Sequence, residues 1–142
     1  MGFKKLERGY LKKIIELHKK SNVSDLKKLR KKYNLKKKKE YILDTLRRGM
    51  IKGYFENNSL VGCGGVVLNK KQKIGEIRHI FVDGKHHGEG IGKKIMKELE
   101  GYLKKKNMKE ARLNVLVKNK AVGFYEKLGY KKHVYVMKKG LK

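Results

Sequence analysis

The stretch that decides the fold is residues 74–94, IGEIRHIFVDGKHHGEGIGKK. It passes from a strand-like run, Ile74–Val82, through a glycine loop into a helix-like run, Ile91–Lys106. The three glycines at 88, 90 and 92 allow backbone N–H groups to turn toward an anion, and the helix start adds a partial positive charge. The stretch therefore predicts a strand–loop–helix unit that binds a phosphate-bearing ligand.

Length and charge limit the classes of protein that fit. The 142 residues predict one domain. The net charge is +27, from 34 lysines and 6 arginines, and it is spread over the chain, with +16 in residues 1–73 and +11 in residues 74–142. Such a surface attracts polyanions, but nucleic-acid readers favour arginine, so a polyanionic partner and a lysine-rich composition without function stay equal alternatives.

The hydrophobic pattern indicates neither export nor a membrane span. No apolar run is long enough to cross a bilayer, and charges at Lys4, Lys5, Glu7 and Arg8 interrupt any signal peptide. The single cysteine, Cys63, lies in an apolar strand, which predicts a buried structural thiol in a reducing compartment. We therefore expect a cytoplasmic protein.

Periodicity predicts the order of elements. A short strand, Phe3–Leu6, precedes an amphipathic helix over residues 8–20 and two further helices, one around Leu26, Leu29 and Tyr33 and one around Ile42, Leu43 and Leu46. Strands follow at Ile51–Glu56, Leu60–Leu68 and Ile74–Val82, with a hairpin turn at Asn57-Asn58-Ser59. After the glycine loop and its helix come a strand, Glu110–Val117, a short helix from Ala121 to Leu128, and a last strand, Tyr130–Met137. This order predicts an α/β or α+β layer fold with a mixed sheet and a parallel crossover between residues 74 and 117.

The glycine loop does not match two common phosphate-binding patterns. A Walker A loop needs Ser or Thr after Gly-Lys, whereas Lys94 follows Gly92-Lys93. A dinucleotide-binding fingerprint needs its glycines after the first strand and an acidic residue near the end of the next strand. The loop is therefore neither a P-loop nor a Rossmann turn.

A second motif accompanies the loop: residues 119–130, NKAVGFYEKLGY. Together with residues 80–82 and 87–94, in this order, it resembles the GCN5-related N-acetyltransferases (GNAT superfamily). The resemblance implies a three-layer GNAT-like fold: a mixed, mostly antiparallel sheet with a central parallel β-α-β crossover, flanked by helices. It also implies a single domain over 1–142, with a variable acceptor-side half, 1–73, and an acetyl-CoA-binding half, 74–137.

The cofactor implied by the resemblance is acetyl-CoA, used as a cosubstrate. The strand before the loop would separate from its parallel neighbour, and the pantetheine arm would pair with the backbone of Ile80, Phe81 and Val82. The pyrophosphate would lie on the loop and helix start, at His87, Gly88, Glu89, Gly90, Ile91, Gly92 and Lys93, and Asn119 and Phe124 of the second motif complete the set. His87 and Glu89 depart from the family pattern, which favours Gln or Arg and a basic or neutral residue at these positions.

The implied reaction moves an acetyl group from the thioester directly to a primary amine, which must first lose a proton. Glu76 is our candidate base, expected on one strand face with Ile80 and Val82; the alternative is an ion pair with Arg78. His79 is a second candidate on the opposite face, although a histidine in an apolar strand is more often structural. Tyr125 is the candidate acid for the departing thiolate; the alternative is simple packing.

Partners and alternatives complete the expectations. We expect no metal site, because the histidines lack ligand spacing, and no membrane association. The acceptor is a protein N-terminus, a lysine or a small amine, and the state is a monomer or a homodimer. The alternative function is a basic module, with an acetyltransferase-like fold, that binds nucleic acid or ribosomes.

Overall fold

The fold is built on a five-stranded mixed sheet. The computed structural model describes residues 2–21 and 35–142. The strands are β1 (Gly2–Leu6), β2 (Gly49–Glu56), β3 (Ser59–Asn69), β4 (Ile74–Val82) and β5 (Glu110–Leu113), and the helices are α1 (Leu11–Ser21), α2 (Leu35–Arg48), α3 (Ile91–Lys105) and α4 (Ala121–Lys127). The strands lie in the order β1-β2-β3-β4-β5, antiparallel except for the parallel pair β4–β5 at one end of the sheet.

Local sequence signals explain most of these elements. Asn57 and Asn58 both adopt positive φ, 49° and 64°, which a tight turn between two twisted strands requires. The predicted hairpin is therefore confirmed, as are the first strand, the helix over 8–20, the helix around Ile42 and the parallel crossover. The predicted helix around Leu26, Leu29 and Tyr33 lies outside the described residues.

Helices cover both faces of the sheet, which gives the predicted three-layer arrangement. One core contains the buried face of α3 with Met50, Tyr54, Val66 and Ile77. The other core contains α1 and α2 with Leu6, Ile51, Cys63 and Phe81. Gly64 of β3 allows α3 to approach closely, because a Cβ there would lie 2.7 Å from Ile95 and Leu99 side-chain atoms.

The buried thiol of Cys63 was also predicted correctly. It is fully buried and donates a hydrogen bond to the His79 carbonyl at 3.3 Å. Burial raises the pKa of this thiol to about 12. Cys63 is therefore a structural residue of the core.

Two strand predictions near the C-terminus are wrong. β5 ends at Leu113 instead of Val117, and residues 130–137 form no strand. In that segment Val134 is 70% exposed and Val136 is 91% exposed. An alternating pattern gives β propensity, but a strand exists only where it finds a ladder partner, and the short β5 offers no pairing beyond Leu113.

No helix in the described ranges combines the length and apolar character needed to cross a membrane.

Candidate active site

A bulge in β4 marks the centre of the candidate site. In the β3–β4 ladder Gly65 faces Arg78 and Cys63 faces Phe81, so the single residue Gly64 lies opposite two residues, 79 and 80. His79 has φ +57°, a left-handed conformation that costs energy in a residue with a side chain. Such a bulge next to a functional loop redirects side chains and interrupts pairing.

The bulge corrects the predicted faces of β4. On the α1/α2 face of the sheet, Arg78 bonds both Glu76 and Asp44 of α2. His79 lies on the same face, where it bonds Thr45 of α2. Ile80 and Val82 pack instead with the α3 core. The extra residue inverts the alternation, so the expectation that Glu76 shares a face with Ile80 and Val82, opposite His79, is wrong.

The second half of β4 has an open edge. The β4–β5 ladder ends at the pair Ile77–Leu113, so residues 78–82 have no β5 partner within the described chain. The N–H of Asp83 donates back to Val61 of β3 at 2.9 Å, and because strand groups alternate in direction, the N–H and C=O of Val82 point toward the open edge. Nε2 of His87 lies 3.0 Å from the Val82 carbonyl, consistent with that direction.

The loop after β4 presents the start of α3 without a side-chain cap. Gly88 and Gly90 have φ +86° and +78°, and a Cβ on either would meet no atom within 4 Å, so conformation and not space requires glycine there. The first helical bond runs from the N–H of Lys94 to the Gly90 carbonyl. The N–H groups at positions 91–93 therefore remain available to an anion.

Helix α4 brings the second motif against the first. A Cβ on Gly92 would lie 3.3 Å from Phe124 Cζ and 3.8 Å from Val82 Cγ2, so the Phe124 ring covers the start of α3. Tyr125 contacts Phe124 edge to face, at 5.2 Å between centroids, and burial raises the pKa of its phenol. The side chain of Asn119 accepts a hydrogen bond from the N–H of Ala121 at 2.9 Å, which satisfies the first N–H group of α4.

An arginine network holds Glu76. Nη2 and Nε of Arg78 donate to Glu76 Oε2 at 2.8 and 3.0 Å, and Nη1 donates to Asp44 and Thr45 of α2. The Arg78 side chain is 8% exposed. Its hydrogen bond also lowers the pKa of the Asp44 carboxyl. The ion pair considered as the alternative for Glu76 is thus present, although the carboxylate remains partly exposed.

His79 is built into the core under α2. Its Nε2 shares a hydrogen bond of 2.8 Å with the Thr45 hydroxyl, and its ring meets Tyr41 edge-on at 4.7 Å. Burial, together with the charges of Lys38 and Arg78, lowers the pKa of His79 to about 3. A neutral, buried imidazole this weakly basic is suited to a structural role.

Glu89 has a partner that sequence reasoning missed. His86 Nδ1 lies 3.2 Å from Glu89 Oε1 and 3.8 Å from Glu56 Oε2, and the hydrogen bond with Glu89 raises the pKa of His86. The acidic residue therefore turns toward His86 and Glu56. The ligand atoms of these three residues lie within 4.8 Å of one another, so they could hold a cation; a protonated imidazole satisfies the same carboxylates. Glu56 is distant in sequence, and no local signal pointed to it.

Comparisons with known proteins agree with this architecture. The family model described as the acetyltransferase (GNAT) family matches residues 11–130. An uncharacterized N-acetyltransferase of Methanocaldococcus jannaschii is 36% identical over 69 residues, which is 48% of this chain and 30% of that protein. The chain thus spans less than a third of the length of this curated relative.

Solved structures share the fold. The PaiA N-acetyltransferase of Thermoplasma acidophilum in complex with coenzyme A has a TM-score of 0.74 at 23% identity, covering 91% of this chain and 88% of that one. Glucosamine-6-phosphate N-acetyltransferase of Arabidopsis thaliana has a TM-score of 0.65 at 22% identity, covering 99% and 97%. With the sequence match over most of its length, the chain belongs to the acetyltransferase (GNAT) family.

Proposed function

We propose that the protein is an N-acetyltransferase that binds acetyl-CoA along the open edge of β4 and moves the acetyl group to a primary amine. The observation that carries the proposal is the juxtaposition of three features. The unpaired edge at residues 78–82 leads into the uncapped start of α3, and Phe124 of the second motif lies against that start at Gly92. An extended amide-containing arm suits the edge, and a pyrophosphate suits the helix start.

Binding would use mostly backbone groups. The N–H and C=O of Ile80 and Val82 would pair with the pantetheine arm, and the N–H groups of residues 91–93 would contact the pyrophosphate. Lys93, exposed at the helix start, adds electrostatic attraction. Since Glu89 pairs with His86, its charge is partly offset next to the phosphates. His87 is bonded to the Val82 carbonyl. Either this bond breaks when the pantetheine arm binds, or the arm pairs with β4 without using that carbonyl.

The proposed reaction transfers the acetyl group directly from the thioester to the amine. The neutral amine attacks the thioester carbonyl carbon, a new C–N bond forms, and the C–S bond breaks to give the CoA thiolate. A backbone N–H at the open edge polarises the carbonyl oxygen. Tyr125 remains protonated at neutral pH, because burial raises its pKa, and it donates its proton to the thiolate.

The proton of the amine needs an acceptor. We propose Glu76, directly or through water, because its carboxylate lies on the α1/α2 face and is still 35% exposed. His79 suits this role poorly, since its pKa of about 3 makes it a weak base. Arg78 fixes the orientation of Glu76 at the start of the bulge.

The acceptor is a primary amine of a protein N-terminus, a lysine or a small molecule. We place the reaction in the cytoplasm, and we propose that a monomer or a homodimer carries it out.

The test is release of the CoA thiol from acetyl-CoA with a panel of amines, with products identified by mass spectrometry. Self-acetylation of the 34 lysines is subtracted by a reaction without acceptor.

A matched pair of variants separates catalysis from general effects. Tyr125→Phe removes the proposed acid, whereas Tyr135→Phe makes the same change at a side chain that is 79% exposed. We expect only the first to slow turnover. Acetyl-CoA should raise the melting temperature of both, since binding to the native state stabilises it. No thermal shift at millimolar acetyl-CoA would contradict the proposed function.

A further inference from the structure

One stripe of α2 runs along β4 toward the glycine loop. Tyr41 lies four residues before Thr45, and Lys38 lies three residues before Tyr41, so the three residues share a helix face. Thr45 bonds His79, Tyr41 contacts the same ring, and Lys38 Nζ lies 5.9 Å from the centroid of the Phe81 ring. Lys38 therefore lies level with the part of β4 whose edge is open.

Two carboxylates of this face, Asp44 and Glu76, lie at the other end of the stripe. Asp44 accepts from Arg47, Arg48 and Arg78, and Glu76 accepts from Arg78. Within residues 2–21 and 35–142, no carboxylate lies at ion-pair distance from Lys38. Negative charge at the level of residues 76–78 is thus already matched, whereas the positive charge of Lys38 beside Phe81 has no carboxylate partner among the described residues.

The positive charge of Lys38 helps to lower the pKa values of two neighbouring histidines. His18 stacks on Phe81 at 4.2 Å between centroids, and its pKa falls to about 4 because of burial and the charge of Lys38. The same charge helps to lower the pKa of His79. Burial also lowers the pKa of Lys38 itself. The cluster holds two imidazoles neutral beside one half-buried ammonium group, which favours an anion at that point.

We infer that Lys38 is a specificity-determining residue that binds an anionic group, a phosphate or a carboxylate, on the acceptor amine. The inference rests on the proposed acetyl transfer. Its geometric basis is that the half-buried Lys38 lies beside Phe81, which belongs to the open-edge part of β4, so an acceptor whose amine reaches the thioester can place a second group near the Lys38 ammonium. An amine carrying an anionic group is also attracted by the net charge of +27, which repels polycationic acceptors.

The test compares amines that differ only by a phosphate: ethanolamine with phosphoethanolamine, and glucosamine with glucosamine 6-phosphate. We expect the phosphorylated member of at least one pair to have a kcat/KM about tenfold to a hundredfold higher, the range for one charge-assisted contact. Lys38→Met should abolish this preference while keeping the long apolar stem. Lys39→Met removes the same charge from an exposed neighbouring position and should keep the preference.

The outcomes separate this inference from the function on which it rests. If acetyl-CoA raises the melting temperature but both members of each pair react equally, or Lys38→Met keeps the preference, the role of Lys38 is refuted and the acetyltransferase proposal stands. If no amine reacts, the melting temperature with CoA and glucosamine 6-phosphate is compared with the melting temperature with CoA alone. A shift that Lys38→Met removes supports the inference, and no shift in the unaltered protein overturns it. Failure of acetyl-CoA itself to bind would refute the function.

Discussion

The glycine loop offers a sharp comparison, because the same substitution should have opposite effects at two ends of α3. Gly90 precedes the helix with φ +78°, and Gly101 lies inside it. A Cβ at either position would meet no atom within 4 Å. Replacement by alanine therefore creates no clash at either site, and only the backbone conformation distinguishes the two variants.

The expected magnitudes follow from that conformation. An alanine held in the left-handed region costs about 1–2 kcal/mol, partly offset by the smaller conformational freedom of the unfolded chain. Within the helix, alanine is better than glycine by about 1 kcal/mol. We expect Gly90→Ala to destabilise and Gly101→Ala to stabilise the protein, with their free energies of unfolding about 2 kcal/mol apart.

Urea unfolding followed by circular dichroism measures this difference, and acetyl-CoA titration measures its functional consequence. Gly90→Ala should also bind acetyl-CoA more weakly, because the turn that aims the N–H groups of residues 91–93 is strained, whereas Gly101→Ala should bind as the unaltered protein does. Equal unfolding free energies for the two variants would refute the conformational argument. Equal acetyl-CoA affinities would refute the role of the loop.

Three further predictions concern the site. Tyr125→Phe should lower kcat by about 10²-fold or more with little change in acetyl-CoA affinity, while Tyr135→Phe changes neither; an unaltered kcat for Tyr125→Phe excludes the acid role. Glu76→Gln should lower kcat by a similar factor, and a rate within twofold of the original would assign the base elsewhere. Because the pKa values of His18 and His79 fall to about 4 and about 3 from 6.5, the unfolded chain binds more protons below pH 6.5. As the pH is lowered from 6 to 4, urea unfolding should therefore show a free energy of unfolding that falls by at most about 1.4 kcal/mol per pH unit for each histidine. A flat profile there would contradict their neutral burial.

The parts of the fold that depend on local signals were predictable. The hairpin at Asn57-Asn58 and the amphipathic pattern of α3 each identify their element within a few residues of sequence. The two motifs, 87–94 and 119–130, identified the family. Residues 74–94 also predicted the strand–loop–helix unit that the structure shows between β4 and α3.

The rest depends on tertiary contacts that no local pattern reports. Nothing in the run Ile74–Val82 shows that His79 adopts a left-handed conformation, so strict alternation placed Glu76 on the wrong face. Tyr130–Met137 has the pattern of a strand but no ladder partner in the part of the chain that the structure describes. The position of Lys38 beside Phe81 follows from the packing of α2 on β4, and the contact of Glu56 with His86 joins residues 30 positions apart.

The central claim is that acetyl-CoA lies along the open edge of β4 and ends on the start of α3. Amide hydrogen exchange, measured residue by residue by NMR with and without saturating acetyl-CoA, tests it most directly. The account predicts slowed exchange at the amides of Ile80, Val82, Gly92 and Lys93, and unchanged exchange at Lys71 in the β3–β4 turn. Unchanged exchange at the β4 and α3 amides, under conditions where acetyl-CoA is bound, would contradict it.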